Sequence, residues 1–352
     1  MVEYFNKLKD QYQVPLENVL SIAINRYGIC IDDYQDSRIR FHLKFANEDR
    51  SNYFAVCVNT YPSPFVLKQD GLYLEGSKIA EVFGIEKDTC TSTYFRNNKK
   101  AITFNSNARS QCRGCAFCGT YSLDENESVF TTKGDIIQYF DQLLKENDID
   151  RMKEIESVTL CTGCFESEDD LVQHILLVNE AFKEMGYAGS LNYIGSQLRD
   201  YDKLQMIRDH VGDFGLYLTI EKFLDREKYM RKEKASLTLP EAKDLLAFSS
   251  SLGMTTTFLY ILGLEPIEVV DQYFNYFKDS INKFPIVQVF QNYTASQEQY
   301  RCSEAKDVEY YLKARKHIDE IFSDTPMNPK LWECFRSLYY EGKEKEKCKI
   351  KS

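Results

Sequence analysis

The sequence predicts an α/β protein built around a parallel sheet covered by helices. Three observations predict it. Between residues 101 and 291, short β-like runs alternate six times with longer stretches of helical period. Helix-start and helix-stop signals punctuate those stretches. The first hundred residues have a different texture, rich in Tyr and Phe with period-two alternation, and read as a separate small α+β module. A chain of 352 residues with 43% hydrophobic and 28% charged side chains can bury a sizeable core, which excludes a wholly disordered protein.

The predicted organisation is an N-terminal α+β module over residues 1–98, the repeating βα region over 99–300, and a C-terminal helical extension with its tail over 301–352. In the module, RIRFHLKF (38–45) and YFAVCVNTY (53–61) alternate as half-buried strands do. Gln69, Asp70 and Gly71 separate SPFVLK from LYLEG, as in a hairpin. SKIAEVFG (77–84) is expected to be a short helix closed by Gly84.

The six β-like runs are AITFNSN (101–107), SVTLCTG (157–163), GSLNYIG (189–195), FGLYLTI (214–220), MTTTFLYILG (254–263) and PIVQVFQ (285–291). Between the first two, Ile136, Ile137, Phe140, Leu143 and Leu144 share a helical face. The next helix opens with Glu168, Asp169 and Asp170, which suit the positive end of its dipole, and stops at Gly186. Another opens at Thr238, with Glu241 completing a capping box and Pro240 in the first turn. Right-handed crossovers leave a doubly wound sheet or a full or partial barrel. Either way, functional groups gather at the carboxyl ends of the strands. Farther on, Trp332, Phe335 and Tyr339 have helical spacing, so a helix is expected over 330–340. Its Arg336 is a candidate for an acidic substrate group, although a surface ion pair is the commoner fate.

The formal charge of −10 argues against general binding to nucleic acid or anionic membrane. The five lysines from Lys343 to Lys351 read as a solvated tail. No apolar run approaches the ~20 residues that span a bilayer. The opening MVEYFNKLKD lacks a signal peptide's layout, so a cytoplasmic location is expected. None of the four histidines shows metal spacing.

Eleven cysteines without a secretory leader point to metal rather than to a disulfide framework. Six are scattered, and Cys302, Cys334 and Cys348 are too widely spaced to support an auxiliary cluster. The other five form two tight groups at strand ends: Cys112, Cys115 and Cys118 after the first run, Cys161 and Cys164 at the end of the second. Two metal readings stand. In one, C-x2-C hooks from both groups make a tetrahedral zinc knuckle in a binding or scaffold protein. In the other, the first three thiols hold a cubane iron–sulfur cluster with one iron open, and nearby glycines let the backbone approach its sulfides.

A strand followed by a cysteine loop, with Phe117 just before the last cysteine, resembles the cluster loop of radical S-adenosylmethionine enzymes. The resemblance spans roughly residues 100–295. Here the spacing is C-x2-C-x2-C, one residue shorter than that family's usual C-x3-C-x2-C. The resemblance implies a partial (β/α)6 TIM-like barrel. It also implies a [4Fe–4S] cluster on Cys112, Cys115 and Cys118, with S-adenosylmethionine on the open iron. One-electron cleavage of its C5′–S bond would yield a 5′-deoxyadenosyl radical that takes hydrogen from substrate. An electron donor such as a flavodoxin or ferredoxin follows as a partner.

By the same resemblance, Phe117 packs on adenine, while Gly163 and Glu166 receive the methionine amino group. Ser196 and Glu221 lie where ribose and carboxylate contacts occur, and Gly263 flanks adenine. Glu166 reads equally well as a helix-start charge, and Gly263 as a strand-end turn. Cys161 and Cys164, three apart on a strand, are expected to face opposite sides. A thiol at the barrel mouth, Cys164 among them, is a candidate hydrogen donor to a substrate radical. The substrate is expected to be a small molecule or a peptide.

Overall fold

The computed structural model describes residues 1–46, 48, 51–88, 93–106, 115–119, 130–334 and 336–340. Cys90, Cys112, Phe335 and Cys348, together with the lysine tail, lie outside the described residues.

Two helices that the alternating runs do not announce open the chain, α1 (Val2–Tyr12) and α2 (Leu16–Tyr27). Phe5 and Leu8 of α1, and Val19, Ile22 and Ala23 of α2, are buried in the core. An antiparallel sheet follows, made of β1 (Arg38–Phe45), β2 (Asn52–Cys57), β3 (Phe65–Lys68), β4 (Gly71–Leu74) and β5 (Ser77–Lys87), in the order β2-β1-β5-β4-β3. The β3–β4 hairpin is the expected one, with Phe65 opposite Leu74 and Lys68 opposite Gly71.

The helix expected over 77–84 is instead the first part of β5. Ala80 and Val82 alternate inward, and the strand pairs with β1 on one side and β4 on the other. Two ladders of backbone hydrogen bonds outweigh a weak local helical preference. Gly84 does not close a helix. Its φ of +60° places it in a β-bulge, where Phe83 to Glu86 of β5 opposes His42 to Arg40 of β1.

The second sheet begins with β6 (Tyr94–Arg96), antiparallel to β7 (Ala101–Phe104). The parallel strands β8 (Ser157–Leu160), β9 (Ser190–Gly195), β10 (Phe214–Glu221), β11 (Thr255–Leu262) and β12 (Ile286–Val289) complete it. All six predicted runs are strands. Between and after them lie α3 (Lys133–Glu146), α4 (Glu168–Glu184), α5 (Tyr201–Val211), α6 (Arg226–Tyr229), α7 (Lys232–Ala235), α8 (Leu239–Ser251), α9 (Ile267–Lys278) and α10 (Val308–Phe322). Both predicted starts hold. Ser167 and Asp170 form a capping box at α4, and Thr238 and Glu241 form one at α8.

Strand order in this sheet is β12-β11-β10-β9-β8-β7-β6, with no reversal. Right-handed crossovers therefore place every crossover helix on one face. That excludes a doubly wound sheet and leaves a partial barrel whose edges are β6 and β12. Side chains confirm the two faces. Ile102, Phe104, Val158, Leu160, Leu216, Leu218, Phe258 and Tyr260 belong to the main core. Their alternates, Thr103, Thr159, Tyr217, Thr219 and Leu259, line the concave side.

The helix expected over 330–340 is not there. A 3₁₀ turn (Leu331–Glu333) is followed by extended chain that pairs with the open side of β12. Val289 N–H donates to Arg336 C=O at 2.8 Å, and Ser337 bridges Gln288. An edge strand's unpaired backbone groups recruit this segment, and an isolated helical pattern cannot compete. The N-terminal module closes over the same edge: Gln291, just past β12, donates to Asn25 Oδ1 at 2.6 Å and to Ala55 C=O at 3.1 Å.

Candidate functional site

The concave side encloses a cavity of about 720 Å³. Along β7 it runs from Ala101 past Thr103 to Asn105, so it extends the length of the strands. Its walls come from three sources: the barrel strands and the loops at their carboxyl ends, strand β1 of the N-terminal sheet, and the extended segment after Trp332.

Cys115, Phe117, Cys118 and Gly119 line this cavity beyond β7. The loop is held from both sides. Ala116 N–H donates to Tyr229 C=O at 2.8 Å, and Gln297 donates to Ala116 C=O at 2.9 Å. Cys118 N–H closes a turn on Cys115 C=O at 2.9 Å. Cys115 is buried among Phe117, Met230, Leu264 and Phe290, and burial pushes its thiol up to about 12. Lys234 pulls in the opposite direction. Such a sulfur keeps its proton until a cationic partner displaces it. At Gly119 a Cβ would collide with the Tyr293 ring, so only glycine lets the loop pass.

The loop after β8 carries Cys161, Gly163, Cys164 and Glu166, all on the same cavity. β8 ends at Leu160, so both cysteines lie beyond the strand and strand alternation does not apply. They do not face opposite sides. Gly163 is buried, and Glu166 is exposed at the rim. The loop is clasped to the one after β9: Phe165 N–H donates to Gln197 at 3.0 Å, and Gln197 donates back to Phe165 C=O at 2.8 Å. Ser196 lines the cavity half-buried. Glu221, at φ +62° on the end of β10, lies 2.8 Å from Lys234.

Gly263 is placed differently. It is not among the cavity's lining residues, its φ is +114°, and a Cβ there would sit 2.7 Å from the Tyr311 hydroxyl. Phe117 lies between the main cavity and a smaller one of about 280 Å³ that also includes Leu264 and Tyr300. Among the described residues, no three His, Cys, Asp or Glu side chains are close enough to share a metal ion. Cys115, Cys118, Cys161 and Cys164 therefore do not converge on a four-sulfur zinc site.

The sequence reading missed three arginines and misplaced a fourth. Arg38 and Arg40 on β1 and Arg96 on β6 line the cavity, and Arg336, expected on a helix over 330–340, does so too. The Asp88 carboxylate lies 2.6 Å from Arg38 and 2.8 Å from Arg40. Two Arg–Tyr–Arg groups stand at the two edges of the barrel. Arg38 stacks on Tyr293 at 4.9 Å, and Arg336 donates to the Tyr293 hydroxyl at 2.6 Å. Arg40 and Arg96 stack on Tyr94 at 4.7 and 5.0 Å. The Arg-x-Arg spacing in RIRFHLKF signals that two guanidiniums share a face, but nothing local says what that face meets.

Among the described residues, no helix is long and apolar enough to cross a membrane. No family model matches the chain, and no curated protein matches it. Solved structures do. Methylornithine synthase (PylB) is 15% identical over 64% of this chain and 63% of that one, with a TM-score of 0.46. SuiB of Streptococcus suis bound to S-adenosylmethionine is 10% identical over 65% of this chain and 50% of that one, also at 0.46. The radical S-adenosylmethionine methyltransferase TsrM of Kitasatospora setae, with cobalamin and a [4Fe-4S] cluster bound, is 12% identical over 54% and 36%, at 0.38. The chain spans less than two thirds of the length of each of these structures, and what it is similar to in all three is an arrangement of strands and helices.

Proposed function

We propose that this chain is a radical S-adenosylmethionine enzyme acting on a small-molecule or peptide substrate in a biosynthetic step. One observation carries the reading. Cys115 and Cys118 of the C-x2-C-x2-C run open into a barrel-long cavity, together with the Gly163 loop at the end of the next strand. This is the carboxyl-end position at which barrels hold their chemistry.

The residues present fit the implied groups. Thiolates are the donors an iron–sulfur cluster takes. Cys115 and Cys118 would supply two, and Cys112, three residues earlier, the third. The cavity's volume lies in the range of small-molecule sites. The Thr219 hydroxyl is buried on its wall with no partner among the described residues. When bound, the cluster supplies the single electron that breaks a carbon–sulfur bond of S-adenosylmethionine.

The chain's own part is to bind, orient and exclude water. Gly163 offers backbone groups to the methionine end, with Glu166 at the rim. Ser196 and Glu221 offer polar contacts, and Lys234 holds Glu221 in place. Tyr217, Leu259, Ile261 and Ile286 give the deeper cavity an apolar lining, suited to a reaction that would otherwise attack any loosely held C–H bond. The electron would come from a flavodoxin- or ferredoxin-like donor.

The test is anaerobic. Reconstituted protein with dithionite and S-adenosylmethionine should release 5′-deoxyadenosine, and Cys118→Ala should release none while remaining folded. Reconstituted wild-type protein that holds no iron and sulfide, or that forms no 5′-deoxyadenosine, would sink the reading.

A further inference from the structure

The cavity's electrostatics name a substrate class. The chain carries a formal charge of −10. Yet among the described residues seven cationic side chains line the cavity against four carboxylates. Near the cysteine loop the charges pair off: Lys234 with Glu221 at 2.8 Å, Arg231 with Glu233 at 3.2 Å. The opposite wall is different. There Arg38 and Arg40 both lie against the Asp88 carboxylate and side by side on the cavity. Arg336 donates to a neutral partner, the Tyr293 hydroxyl, and its Nε is buried with no hydrogen-bond partner among the described residues.

This wall is built rather than incidental. Its arginines come from three separate parts of the chain: Arg38 and Arg40 from the N-terminal sheet, Arg96 from edge strand β6, and Arg336 from the segment paired to edge strand β12. Tyr94 and Tyr293 hold them in place from the two barrel edges. Buried guanidiniums are costly unless an anion and good hydrogen bonds offset them. Their planar forks suit a carboxylate or a phosphate oxygen pair.

We propose that this arginine wall binds the anionic group of a small substrate, a carboxylate or a phosphate, and so holds the rest of the molecule against the apolar lining of the barrel. The inference rests on reading the cavity as the reaction chamber. It also assigns the N-terminal module a role, since β1 supplies half of the recognition surface.

The experiment uses the full chain without reconstitution, so it does not depend on cofactor cleavage. Glutarate, inorganic phosphate and neutral glutaramide are titrated at low ionic strength and followed by calorimetry. Saturable binding is expected for glutarate or phosphate and none for glutaramide. Preference between the two anions assigns the group. Arg336→Gln should weaken binding at least tenfold, Arg336→Lys by less, with the unfolding midpoint of each close to wild type. If Arg336→Gln does not fold, Arg96→Gln takes its place. The proposal is overturned if neither anion binds, or if binding survives both Gln variants undiminished. Anion binding in a chain that cleaves no S-adenosylmethionine would remove the radical reading and leave the anion site standing. Cleavage without anion binding would do the reverse.

Discussion

Asp88 stands 2.6 Å from the guanidinium of Arg38, and its other carboxylate oxygen is 2.8 Å from Arg40. The Asp88 side chain is fully buried, so its attraction to the two guanidiniums is poorly screened by solvent. Asp88→Asn removes the negative charge that both buried guanidiniums contact. A loss of about 3–5 kcal/mol is expected, as for other broken buried pairs. Urea unfolding at neutral pH measures it, and a loss below about 1 kcal/mol would show that Asp88 is not what holds the arginines.

Glu265 ties two strand ends together. Its carboxylate accepts from Phe223 N–H at 3.0 Å, Leu224 N–H at 2.6 Å and the Tyr260 hydroxyl at 2.9 Å, with Lys222 Nζ at 3.2 Å. Glu265 and Lys222 are both buried beyond the ends of β10 and β11, beside the smaller cavity. Glu265→Ala should cost about 3 kcal/mol or more, because it leaves Lys222 as a buried cation without its counter-charge. Glu265→Gln, which keeps an acceptor, should cost less. Equal losses in the two variants would contradict this account.

Gly263 separates a structural from a cofactor role. At φ +114° an L side chain is strained, and its Cβ would press on the Tyr311 hydroxyl. Gly263→Ala should lower stability by about 1–3 kcal/mol. Affinity for S-adenosylmethionine should not change. A variant of full stability with weakened cofactor binding would instead support the adenine contact that the family resemblance implies.

His174 makes stability depend on pH. Burial pushes it down to about 4, while its Nε2 lies 2.8 Å from Ser106 Oγ. In the unfolded chain it takes a proton near pH 6.5. Between those values the unfolded state binds more protons, so stability falls as pH drops from about 6.5 to about 4, by on the order of 3 kcal/mol. His174→Gln should flatten that part of the profile. Parallel wild-type and variant curves of unfolding free energy against pH would refute the assignment.

What the sequence determined by itself is what short-range physics encodes. Period-two and helical-period patterns placed the six parallel strands, and the acidic start at Glu168 and the capping box at Thr238 are readable because cap and helix are a few residues apart. The cysteine run marked the strand end that opens on the cavity. Only tertiary structure decided the rest. Residues 77–84 became a strand because β1 and β4 flank them, and residues 336–338 became extended because β12 had an unpaired edge. Arg38, Arg40, Arg96 and Arg336 meet across some 300 residues of sequence because the barrel is open on one side and the N-terminal sheet fills the gap. Local propensity is worth tenths of a kcal/mol per residue. Paired ladders and buried charges are worth more, and no window of sequence contains both partners.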